Sequence, residues 1–205
     1  MRGDSPVFTE RKDIKMWKRL MALEKSAAKG SVKNVDKLRK VIQDVQSAEG
    51  YVNPKIISKV IDLVDIYLSE ELKPIMQNIL EKCKLTDCAP QLQAASKLVG
   101  MGEFDSAKLI LDRMTVISDV PQWEYLRGVV DRDEGNTKSA FRHFREVYYM
   151  DDRFMQVYPE LEQLDPNSGW FCRGMIASIM NGEVPESHVS SDNGRYGDQI
   201  GRAHV

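Results

Sequence analysis

Two short stretches constrain this chain more than anything else in it: Gly102-Glu103-Phe104-Asp105-Ser106-Ala107 and Gly135-Asn136-Thr137-Lys138-Ser139-Ala140. Both read Gly-x-x-x-Ser-Ala, and they lie 33 residues apart. Glycine accepts the left-handed backbone that ends a helix. A small residue five positions on, then a large one four further (Leu111, Phe144), marks the second helix of a hairpin. A recurrence at this period means helical hairpins stacked in series.

The rest of the chain reads the same way. Apolar residues recur at three- and four-residue steps from Thr9 to Lys29, with Ile14, Trp17, Leu20, Met21, Leu23 and Ala27 on the expected stripe. Gly30 stops that helix, and a second runs from about Val32 to Ala48. Asn53-Pro54 is a strong start, a capping side chain followed by a proline that loses no needed donor. Ser69-Glu70-Glu71 opens the next helix, and Pro74 predicts an irregular first turn or a regular start nearer Lys73. Asp87 with Pro90, and Asp119-Val120-Pro121, open two more. Pro159 must interrupt or delay a helix between Arg153 and Leu164, and Asp165-Pro166 launches a last one with Trp170, Phe171, Met175, Ile176, Ile179 and Met180 as its apolar face. The methionines and tryptophans are expected to pack in cores. No alternating strand pattern with hairpin turns occurs.

The expected architecture is all-α: about ten helices in antiparallel hairpins, stacked as a short right-handed α-solenoid. Residues 1–8 form a tail, 9–50 a basic helical pair, and 51–182 the repeats with a terminal capping helix. Residues 183–205 are too poor in apolar groups to fold. Within them 200–205, Ile-Gly-Arg-Ala-His-Val, reads as an in-frame translation of a sequencing adapter and is set aside from the fold.

Charge is unevenly spread. Residues 1–40 carry a net of +7 and residues 41–205 a net of −9. Lys15, Lys18, Arg19, Lys33, Lys37 and Lys40 form a candidate patch for nucleic acid or an acidic partner. Three cysteines, Cys83, Cys88 and Cys172, are too few for a disulfide framework and point to a reducing, cytoplasmic setting. No stretch is apolar enough to span a bilayer, and no apolar signal-peptide core follows the N-terminus.

Chemistry is sparse. Cys83 and Cys88 have no histidine near in sequence, so no metal site is expected. His143 has no evident partner in its own stretch. Asp131-Arg132-Asp133-Glu134-Gly135 differs from a calcium loop in the place of its glycine and in having Arg142 where a glutamate is needed. No glycine-rich phosphate loop occurs. No catalytic residue, metal or cofactor is assigned.

On the turn glycines and the small and large residues around them, the chain resembles the tetratricopeptide repeat (TPR) family, whose unit is a helix-turn-helix of about 34 residues. One unit spans 121–154 and matches at Gly128, Gly135, Ala140 and Phe144; another spans 88–120 and matches at Ala95, Gly102, Ala107 and Leu111. The spacing is one residue short, Trp123 lies one position early, Arg127 replaces a leucine, and Asp119 and Asp152 replace the closing proline. Gly128 is expected to let Ala140 approach closely. The resemblance implies a non-enzymatic scaffold whose first-helix face grips an extended or helical segment of another protein. By position, that groove would use Leu92, Ser96 and Val99 in one unit and Gln122, Tyr125, Val129 and Arg132 in the next. The rival reading is a nucleic-acid-associated adaptor working through the basic helices at 11–40.

Overall fold

The computed structural model describes residues 11–27, 33–84, 86–114 and 120–182. The expectations for both tails, for the Gly30 stop and for the terminal six residues lie outside them. Among the described residues there are ten α-helices and no strand. The chain divides into two compact units, residues 1–118 and 119–205, and the division falls between the two repeat units read from the sequence.

The first unit holds α1 (Arg11–Ala27), α2 (Lys33–Gln46), α3 (Pro54–Tyr67), α4 (Leu72–Leu80), α5 (Cys88–Gly100) and α6 (Phe104–Arg113). Its helices pair in sequence, and the first members also stack, α1 on α3 and α3 on α5. Leu20, Leu38, Ile57, Ile61, Met76, Leu98 and Leu111 are fully buried between them. Burying such a side chain contributes about 1.5–3 kcal/mol, which is what holds helices too short to stand alone.

The start signals act as read. Asn53 Oδ1 accepts the Lys55 N–H at 3.0 Å, with Pro54 at the first helical position. Ser69–Glu71 forms a 3-10 turn and regular helix begins at Leu72, so Pro74 sits in the first turn of α4, where no donor is lost. One stripe is rotated. In α1 the buried residues are Met16, Leu20 and Leu23, while Ile14 is 38% exposed. This helix carries two apolar rows, and packing against both α2 and α3 selects the one through Met16.

The second unit holds α7 (Pro121–Asp133), α8 (Thr137–Met150), α9 (Val157–Leu164) and α10 (Trp170–Met180). Pro159 delays α9, as expected, leaving it only eight residues long. Asp165-Pro166 starts a 3-10 turn instead of the last helix; Gly169 then takes a left-handed conformation and α10 begins at Trp170. Most of the apolar face expected to be core on α10 is outside: Phe171, Met175, Ile176 and Met180 are exposed, and Trp170 is buried.

The repeat crossing differs in one particular. A Cβ added at Gly128 would meet the Phe144 ring at 2.5, 2.8 and 3.0 Å. The glycine therefore makes room for Phe144, not chiefly for Ala140. The same device recurs at Gly174, where an added Cβ would lie 3.0 Å from Tyr158 Cβ.

Gly102 (φ 75°) and Gly135 (φ 79°) close their helices identically. Glu103 N–H donates to Leu98 O and Asn136 N–H to Asp131 O, at 2.9 and 2.8 Å; Gly102 N–H donates to Val99 O and Gly135 N–H to Arg132 O, both at 3.0 Å. This is the Schellman arrangement. Gly102→Ala and Gly135→Ala are each expected to cost about 1–2 kcal/mol in urea denaturation, because a Cβ strains a left-handed residue. Gly100→Ala is the control: it lies inside α5 with open space around it, and should be neutral or stabilising. Equal losses at all three positions would rule out this account.

Candidate protein-binding site

In the first unit α1, α3 and α5 present one common face, tied by polar contacts from helix to helix. Lys59 Nζ donates to Glu24 Oε1 at 2.6 Å. Gln93 Nε2 donates to Asp62 Oδ1 at 2.6 Å and to Ser58 O at 3.2 Å. Lys97 pairs with Asp65. Between these ties and Trp17 lies an open, mostly apolar hollow of about 440 Å³, also lined by Pro54, Ser58 and Ala89.

The groove positions carried over from the repeat family fall unevenly on α5. Leu92 is 6% exposed and belongs to the core, so it offers a partner nothing. Ser96 is exposed and Val99 half-buried. The side chains that do face out and sideways are Ala89, Gln93, Ser96 and Lys97. Leu92 thus lies on the inner side of α5. The alternation of polar residues along α5 carried that signal: Gln93 and Lys97 flank buried Ala94, Ala95 and Leu98.

In the second unit Val129 is 4% exposed and likewise core, while Gln122 is exposed. Tyr125 and Arg132 converge on Glu160 of α9. The Tyr125 hydroxyl hydrogen-bonds its carboxylate, Arg132 pairs with it, and the Tyr125 ring lies 5.2 Å from Phe154. Burial, with Glu160 adding and Arg132 opposing, raises the Tyr125 phenol above its ordinary value. These two side chains hold α7 to α9, so replacing them would disturb the fold as well as any binding.

His143 has partners that its own stretch does not reveal. Nδ1 lies 2.5 Å from Glu124 Oε2 and Nε2 lies 3.5 Å from Asp131 Oδ2, both carboxylates on α7. Glu124 and Asp131 are buried, and the Trp123 ring stands edge-on to the imidazole at 6.3 Å. The trio is a polar cluster that fastens α8 to α7. Among the described residues no group of three or more His, Cys, Asp or Glu side chains is arranged to hold a metal ion. The Cys83 thiol is pushed up to about 12, mainly by burial, which keeps it protonated and unreactive at neutral pH.

The basic candidates lie on α1 and α2. Lys15, Lys18, Arg19, Lys37 and Lys40 are all exposed; the Lys33 side chain lies outside the described residues. Arg19 is tied to Asp44 at 2.5 Å. Among the described residues no helix is long and apolar enough to cross a membrane.

No protein-family model matches the chain, and no curated protein matches it in sequence. Two solved structures do match in shape. One, "Crystal structure of MamA", superposes with a TM-score of 0.61 at 14% identity, over 79% of this chain and 97% of that one. The other, "Crystal structure of MamA protein", has a TM-score of 0.62 at 15% identity, over 83% of this chain and 98% of that one. The chain shares its fold with MamA, a TPR-like protein. At this identity the likeness is one of fold. It bears out the all-α helical-hairpin architecture of the TPR-like solenoid type.

Proposed function

We propose that the protein is a non-enzymatic, cytoplasmic scaffold that binds an extended or helical segment of another protein on its first-helix faces. The observation that carries this reading is the shared face of α1, α3 and α5. Its three helices are braced by ion pairs and hydrogen bonds, yet leave the hollow beside Trp17 open. A rigid, pre-built apolar hollow with polar margins suits a peptide, because little ordering cost remains at binding. The unbonded state of Cys83, Cys88 and Cys172 suits a reducing compartment. In the second unit Gln122 is the groove candidate that keeps its surface, with Tyr125 and Arg132 bracing the helix beneath it.

Ala89 and Ser96 are exposed on α5, and arginine at both would fill the edge of this face without touching the core. Ala89→Arg/Ser96→Arg is expected to leave stability within about 0.5 kcal/mol of wild type. It should also reduce recovery of bound proteins in quantitative affinity capture from the native cell by about tenfold, a loss of ~1.4 kcal/mol. Recovery of the same proteins at the same yield from both forms would refute the assignment.

A further inference from the structure

The α1/α2 seam carries a second surface of different chemistry. Two hollows adjoin along it, of about 320 and 210 Å³, and Arg19 lines both. On α1 the lining residues run Lys12, Lys15, Met16 and Arg19, then Arg19, Ala22, Leu23 and Ser26. These follow a single three-and-four step, so the two hollows form one stripe along the helix. Ala22 is the exposed apolar residue of its floor, over the buried Met16 and Leu23, and Lys15, Lys37 and Lys40 stand on its rim.

Several cations elsewhere in this unit are committed to carboxylates. Lys59, Lys73 and Lys97 each cross a helix interface to a carboxylate, Glu24, Glu103 and Asp65. Among the described residues Lys15, Lys18, Lys37 and Lys40 are exposed and make no ion pair. We infer that this seam is a docking groove for an acidic amphipathic helix of a partner protein, which lays its apolar side chains on Ala22 and the aliphatic stems of the rim lysines and its carboxylates between the lysine ammonium groups. The stripe from Lys12 to Ser26 spans about 21 Å at 1.5 Å per residue, room for roughly four helical turns. Nucleic acid would satisfy the lysines but leave the apolar part of the lining uncovered. A helix with an apolar face meets both features at once.

The test is selection of random 15-residue peptides displayed on phage against the full chain, followed by titration of the enriched peptides by fluorescence anisotropy. The expected winners carry glutamate or aspartate flanking leucine-like residues at three- and four-residue steps. Their affinity should fall about tenfold both in Lys15→Glu/Lys37→Glu/Lys40→Glu and in Ala22→Arg, which keeps the positive charge but blocks the floor. It should be unchanged in Ala89→Arg/Ser96→Arg, which separates this groove from the α1/α3/α5 face. Circular dichroism of each variant confirms that it folds. Enrichment of basic or uncharged peptides would overturn the inference. So would acidic winners indifferent to Ala22→Arg, or a 20-base oligothymidylate that binds more tightly than any peptide and is lost only on lysine reversal.

Discussion

Phe144→Ala is expected to destabilise the second unit by about 3–5 kcal/mol, the usual cost of emptying a buried aromatic site. Phe144 is fully buried and lies directly over Gly128 of the partner helix. The two positions should therefore be coupled. Gly128→Ala alone gains about 1 kcal/mol of helix propensity. Against that it drives a methyl group to 2.5 Å from a ring that is buried on all sides and cannot yield, at about 1–3 kcal/mol. With Phe144 removed, the clash disappears and the propensity gain remains. In a double-mutant cycle followed by circular dichroism in urea, Gly128→Ala should be harmful beside Phe144 and mildly helpful beside Ala at 144. Strict additivity would show that the ring and the glycine do not share one space.

The second large effect is at the cluster across the same helix pair. His143→Ala is expected to cost about 1–3 kcal/mol, since it removes a hydrogen-bonding partner from the buried Glu124 carboxylate and empties the space between Glu124 and Asp131. Adding Glu124→Gln and Asp131→Asn to that variant should recover much of the loss, because amides tolerate the missing partner better than carboxylates do. A loss below about 1 kcal/mol in His143→Ala, measured by the same denaturation, would mean that water already reaches the carboxylates. The three side chains hold one helix to its partner.

How much of this could be read from the residues alone differs element by element. Asn53-Pro54, Pro74, Gly102 and Gly135 acted where they were read, because capping, proline and left-handed turns involve atoms only a few residues apart. The α10 face was misjudged for the opposite reason. Apolar periodicity marks a face fit for burial, but a neighbouring helix must be there to bury it, and only Trp170 and Gly174 of α10 are covered. The groove register slipped likewise. Leu92 and Val129 were read as groove residues, yet adjacent helices close over them.

The residues by themselves determined most of the helix starts, the two glycine stops at Gly102 and Gly135 and the pairing of the helices, since those choices are settled within a turn or two of chain. The tertiary structure decided which side of each helix faces a neighbour. That choice set the partners of His143, the use of Tyr125 and Arg132 as braces on Glu160, and the lysines left without carboxylates. The contacts behind it join residues roughly twelve to thirty-five apart in sequence, and their energies depend on the rotation of one packed rod against the next.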